Sequence, residues 1–157
     1  MLINYVAGDL FADANQTSRV YAVDCNTEGV MNTQMGVVFR SRFPQMYSEY
    51  VRRCGTEPSE LPLGQVFMWK GPDGTVVFNL AIQTSRFYTL APINVIEGAY
   101  REMRKLAEAE GITAINMPPI GGGMGNLNWD RSRKALERAF GKWQGRLFVY
   151  MKGAGKW

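Results

Sequence analysis

The stretch from Ile115 to Trp129 constrains this chain more than any other, because it changes backbone character twice within a short span. An apolar β-type run, Ile112 to Met117, leads into it, and Pro118 and Pro119 stop that run, since proline cannot donate to a ladder. Gly121, Gly122, Gly123 and Gly125 then leave a backbone able to adopt positive φ. A helix reading Trp129 to Phe140 follows, with Asn128 or Asp130 available as its cap. The order strand, glycine loop, helix N-terminus gathers bare N–H groups at the positive end of a helix dipole, an arrangement suited to phosphate. The plain alternative is a glycine loop that is only flexible. The stretch matches neither G-x-G-x-x-G nor G-x-x-x-x-G-K-[ST], so the dinucleotide and P-loop folds are disfavoured.

A chain of 157 residues, 46% of them apolar, fits one domain over residues 1–157, with 152–157 as a short tail. No apolar run approaches the ~18 residues of a membrane span, and the first residues lack the basic start of a signal peptide. Cys25 and Cys54 are the only cysteines, so a reducing, cytoplasmic setting is expected and no disulfide framework. The absence of histidine removes every triad and metal site that needs imidazole, and neither a metal nor a cofactor is expected. The net charge of +4 is spread over the predicted helices, which fits a solvated surface as well as an anionic partner.

In chain order, Ile3–Val6 reads as a strand ending in Gly8-Asp9-Leu10, where Asp9 suits a turn or cap. Val20–Val23 is apolar throughout, as a buried parallel strand is. It runs into a loop carrying Asp24, Asn26 and Glu28. Asn26 stands at the carboxyl end of a buried strand, where open α/β sheets bind ligands, although an Asx-turn accounts for it equally well. Thr33–Phe43 has helical spacing, with Met35, Val38, Phe39 and Phe43 on one face. Pro44 interrupts, and a helix resumes from Gln45 to Cys54, whose thiol is expected to be buried. Gln65–Trp69 and Thr75–Ile82 are strands joined by Lys70-Gly71-Pro72-Asp73-Gly74, a strong hairpin turn. Ile93–Glu110 is the longest helix, with an apolar face at Ile96, Ala99, Tyr100, Met103, Leu106 and Ala107, and Arg146–Met151 is the last strand. The alternation predicts a three-layer α/β/α sandwich around a mixed sheet. The loops at Gly8, Asn26 and Gly121 each follow a strand, and parallel neighbours would bring all three to one edge.

Taken together, Val6-Ala7-Gly8-Asp9-Leu10, Cys25-Asn26 with Gly29-Val30-Met31, and Pro119–Gly125 with Leu127-Asn128-Trp129 resemble the macro domain, an ADP-ribose-binding family. The resemblance covers nearly the whole chain. It is nearest to the branch of DNA ADP-ribosyl glycohydrolase antitoxins, terminal ADP-ribose protein glycohydrolases and ADP-ribose 1''-phosphate phosphatases.

The resemblance implies that Asp9 accepts from the adenine amine beside the Leu10 backbone, and that Asn26 bonds the distal ribose. It implies that the backbones of Gly29, Val30, Met31, Asn32, Thr33 and Gln34, and of Ile120, Gly121, Gly122, Gly123, Met124 and Gly125, hold the diphosphate. Tyr150 falls near the adenine, with core packing as an equal alternative. Two departures stand out. The first phosphate loop is usually glycine-rich where this chain has Asn32-Thr33-Gln34, and the glycohydrolases' catalytic lysine is replaced by Gln83, whose amide cannot form a Schiff base. Asp24, Glu28 and Asp9 remain as acid–base candidates.

The expected function is binding and hydrolysis of an ADP-ribose derivative without a catalytic lysine, by a monomer acting on ADP-ribose or an ADP-ribosylated protein or nucleic acid. A binding module without turnover is the alternative, and a nucleic-acid-binding protein a weaker third, supported only by the basic pI of about 9.2.

Overall fold

The computed structural model describes residues 1–87, 89–121 and 129–151. The expected glycines Gly122, Gly123 and Gly125, Met124 between them, the cap Asn128 and the tail 152–157 lie outside the described residues. Six strands and four helices follow the order β1 (Leu2–Ala7), β2 (Val20–Asn26), α1 (Gln34–Arg42), α2 (Pro44–Cys54), β3 (Val66–Lys70), β4 (Val76–Gln83), α3 (Ile93–Ala109), β5 (Ala114–Met117), α4 (Trp129–Phe140) and β6 (Arg146–Met151).

Every expected element is present, and the shifted ends have physical causes. Thr33 is not the first helical residue but the N-cap of α1, its hydroxyl accepting from the Gly36 N–H at 2.9 Å. Pro44 does not separate the helices from outside. It is the first residue of α2, where a missing N–H costs no hydrogen bond. β5 begins at Ala114 rather than Ile112, because the Ile112 N–H donates to the Ala107 carbonyl and is spent closing α3. Gly111 supplies the left-handed turn for that closure, with φ of 67°. Asp130 lies inside the first turn of α4, paired with Arg133 and Lys134.

The sheet order is β1-β6-β5-β2-β4-β3, with β3 antiparallel to β4 and the other pairings parallel. The helices cover both faces. One buried cluster joins α3 and α4 to the sheet through Ala22, Phe78, Leu80, Ile82, Tyr100, Ile115, Leu136 and Phe140. The other joins α1 and α2 to the opposite face through Tyr21, Val23, Cys25, Phe39, Met46, Tyr50, Val77 and Ala81. This is the expected three-layer α/β/α sandwich.

The ends of β1, β2 and β5 do share one edge, but they are not all neighbours. β6 and β5 stand between β1 and β2, so the loop after β1 reaches the others across the sheet's width. On α1, Phe39 is fully buried as expected, whereas Val38 is 41% exposed and faces outward. Cys25 is buried and Cys54 only half-buried, so the second thiol departs from the expected burial. No helix among the described residues is long and apolar enough to cross a membrane.

Phe140 is fully buried between α4 and the sheet and meets Trp143 edge-on at 5.0 Å. Phe140→Ala is expected to lower the unfolding free energy by about 3–5 kcal/mol, read from the urea midpoint. Phe87→Ala removes a ring that is 78% exposed and is expected to stay within about 0.5 kcal/mol of the parent.

Candidate functional site

Parallel pairing points the carboxyl ends of β1, β2, β4, β5 and β6 the same way, toward the edge where open α/β sheets take ligands. β1 continues into Gly8, whose N–H still donates to the Met151 carbonyl while its φ of 122° turns the chain over the edge. That turn delivers Asp9 and Leu10 opposite the start of α1. Asp9, Leu10, Phe11 and Ala12 on one side and Gln34, Met35 and Val38 on the other line a cleft of about 360 Å³.

Three residues of that cleft, Asp9, Leu10 and Gln34, are expected from the sequence. Phe11, Met35 and Val38 are not: Met35 and Val38 carry the helical spacing of core residues, and nothing in Phe11's own spacing marks it. Phe11 is held by a ring cluster, 4.9 Å from Tyr21 and 5.2 Å from Phe39, with the Arg42 guanidinium 4.6 Å above its face. The strap behind it is tied by Gln16, which donates to the Leu10 carbonyl at 2.7 Å and accepts from the Tyr21 hydroxyl at 2.8 Å.

Tyr150 stands in the same buried cluster as Leu10 and donates its hydroxyl to Asp13 at 2.8 Å. Burial raises the Tyr150 pKa above its ordinary value. The tyrosine supports the strap, and it is not among the residues lining the described cleft.

The loop after β2 closes on itself through Asn26. This side chain is 1% exposed. Its Oδ1 accepts from the Glu28 and Val30 N–H groups at 3.0 and 3.3 Å, and its Nδ2 donates to the Val30 carbonyl at 2.6 Å. The Tyr50 hydroxyl of α2 lies 2.9 Å from Oδ1 and 2.7 Å from the Asn26 carbonyl, within reach to donate to either. The Asx-turn alternative is therefore present, and one hydrogen of the amide remains beyond it. Gly29 has φ of 78° and backs onto α2, where an added Cβ would stand 3.3 Å from the Cys54 Cβ.

The segment after β4 clamps this loop. Thr27 donates its N–H to the Gln83 carbonyl at 3.1 Å and its hydroxyl to the Thr84 carbonyl at 3.2 Å. Glu28 pairs with Arg86 at 2.5 Å, and Asn32 donates to the Arg86 carbonyl at 3.0 Å. Sequence reasoning missed this clamp, because Glu28 and Arg86 are far apart in the chain and share no motif. Met31 is buried beneath the loop, and Thr33 caps α1. The first N–H groups of that helix, at Gln34 and Met35, have no intrahelical acceptor. The chain after β5 reaches the same edge with Ile120 and Gly121 both buried and Gly121 at φ of 78°.

Gln83 ends β4 and is 2% exposed. Its Nε2 donates to Asp24 Oδ2 at 2.7 Å. Burial raises the Asp24 pKa, opposed by that hydrogen bond. Glu28, the other carboxyl of this loop, is committed to Arg86. The described residues include no cluster of metal-ligating side chains.

The model of the macro domain family matches residues 23–136 of this chain. An ADP-ribose 1''-phosphate phosphatase of Meyerozyma guilliermondii is 26% identical, with 87% of this chain and 93% of that protein covered. A DNA ADP-ribosyl glycohydrolase of Thermus aquaticus is 27% identical over 95% of this chain, which spans 41% of the relative. Among solved structures, the macrodomain of Thermus aquaticus DarG superposes with a TM-score of 0.80 at 22% identity, covering 95% of this chain and 97% of that one. Thermosipho africanus DarTG in complex with ADP-ribose superposes with a TM-score of 0.78 at 22% identity, covering 96% and 42%. With the family model spanning most of the chain and the fold shared, this protein belongs to the macro domain family.

Proposed function

We propose that this protein binds ADP-ribose along the carboxyl edge of its sheet and hydrolyses an ADP-ribose derivative there without a lysine nucleophile. The observation that carries this reading is the single edge onto which the chain folds Asp9 and Leu10, the capped start of α1, the Asn26 loop and Gly121. Asp9 accepts from the adenine amine beside Leu10 and Phe11 in the apolar cleft. Backbone N–H groups from Gly29 to Gln34, and from Ile120 and Gly121 onward through Gly122, Gly123, Met124 and Gly125, take the diphosphate. The uncommitted amide hydrogen of Asn26 reaches the distal ribose.

The names of the relatives support two substrate classes, ADP-ribose 1''-phosphate and ADP-ribosylated DNA, and both reactions are hydrolyses. We place the protein as a monomer in the cytoplasm, in keeping with its two unpaired cysteines. A binding module without turnover is the second reading, favoured by one observation: Gln83 stands where a nucleophile is expected, and its amide cannot attack.

ADP-ribose is expected to bind with a calorimetric signal that Asp9→Ala weakens by about 10- to 100-fold, the worth of one charge-assisted hydrogen bond. Glu108→Ala, on the far surface of α3 beside Arg104, is the control and should leave binding unchanged. No heat and no thermal shift at millimolar ADP-ribose would refute the reading.

Borohydride added during turnover is expected to leave no covalent ADP-ribosyl protein by intact mass, because no Schiff base forms at Gln83. A trapped adduct would show that a lysine enters the site and that Gln83 is not its replacement.

A further inference from the structure

The fold gains nothing obvious from a carboxyl at Asp24. Its chain neighbours Val23 and Cys25 are buried among apolar groups, and among the described residues no arginine or lysine pairs with it. Its one side-chain hydrogen-bond partner among the described residues is the neutral amide of Gln83. A half-buried carboxyl held by a neutral group, at the edge where a ligand binds, is the kind of group that exchanges protons with a substrate.

Gln83 adds a second observation. Its Oε1 is fully buried and has no hydrogen-bond partner among the described residues, whereas buried carbonyl oxygens in native proteins are nearly always bonded to protein or water. A water entering with the substrate would find that oxygen as an acceptor, on the same amide whose nitrogen holds the Asp24 carboxylate. The pair flanks Asn26, since Asn26 is the register partner of Gln83 and Asp24 lies two residues before it on β2.

We propose that Asp24 is the catalytic base that takes a proton from the hydrolytic water, and that Gln83 positions both the carboxylate and that water. The proposal rests on the hydrolase reading above. In the step, the water oxygen forms a bond to the reacting centre of the ADP-ribose derivative, and one water proton passes to Asp24. The bond to the leaving group breaks with its electron pair on the leaving group. That group then takes the proton from Asp24, which returns to the carboxylate.

The titratable groups facing Asp24 are Tyr100 of α3 and Cys25 of β2. Burial raises both, so neither carries charge near neutrality. The acid limb of the rate profile therefore belongs to Asp24: turnover is lost as pH falls through its raised pKa. The same shift sets the sign for stability. A carboxyl whose folded pKa is raised stabilises the fold below its unfolded value and loses that contribution as pH rises through the folded value, so ionised Asp24 destabilises the protein at neutral pH.

The test measures kcat and KM on ADP-ribose 1''-phosphate and on an ADP-ribosylated DNA oligonucleotide, with ADP-ribose affinity by calorimetry. Asp24→Asn keeps the shape and removes the base. It should lower kcat by about 100-fold or more, leave ADP-ribose affinity unchanged, and raise the melting temperature at pH 7. Gln83→Met keeps the volume and removes the N–H that lowers the Asp24 pKa. It should lower kcat rather than raise KM, and move the acid limb to higher pH, a shift that a packing role would not produce.

Wild-type kcat in Asp24→Asn, or parallel losses of turnover, affinity and melting temperature, would overturn the assignment while leaving the hydrolase reading intact. If Asp24→Asn does not fold, an unmoved acid limb in Gln83→Met overturns it. A wild-type protein that binds ADP-ribose but turns over neither substrate overturns the hydrolase reading and this assignment together.

Discussion

The site depends on one irregularity in the central ladder. β2 and β4 run in register from Val20 opposite Val76 to Cys25 opposite Ala81, and then Asn26 stands opposite Gln83 with Ile82 skipped. Strict alternation would put Asp24, two residues after Ala22, against α3 and α4, and Gln83, two after Ala81, on the face of α1 and α2. The extra residue in β4 breaks that alternation, and bulges of this kind re-aim side chains at strand ends. It is what lets the amide of Gln83 meet the carboxyl of Asp24 at 2.7 Å.

The same strand end serves both layers. Asn26 is tied to α2 through the Tyr50 hydroxyl, and Asp24 lies within electrostatic reach of Tyr100 on α3. The loop between them is closed by Asn26 and clamped by Thr27 to Thr84 and by Glu28 to Arg86. A loop held this way has little ordering left to do, and a ligand bound there would lose little affinity to entropy. The Glu28–Arg86 pair is exposed and screened, so it is worth little alone. The backbone bonds at Thr27 and the buried Asn26 turn hold the geometry.

Pairing and burial separate the carboxyls of the edge. Glu28 is neutralised by Arg86, and Asp13 accepts from Tyr150 and supports the strap. Asp24 alone among these combines a raised pKa with a neutral partner. The two expected binding residues also differ in kind. Asp9 is exposed on the lining of the cleft, whereas Asn26 is buried and carries the loop's own hydrogen bonds. Replacing the first tests recognition, and replacing the second disturbs loop and ligand together.

Local chemistry by itself determined the elements, the layer architecture and where the strand-end loops fall. Buried parallel strands announce themselves as apolar runs at Val20–Val23 and Ile112–Met117, amphipathic spacing marks α3, and glycine, proline and Asx residues mark where strands end. The tertiary structure alone decided the sheet order, which puts β6 and β5 between β1 and β2. It alone also decided the exposure of Val38 on a helix face whose spacing suggests core, the Glu28–Arg86 clamp and the Asp24–Gln83 pair. The reason is common to all of these. Periodicity and turn chemistry act over a few residues, whereas strand order, a one-residue bulge and a bond between residues on different strands are set by how distant segments pack.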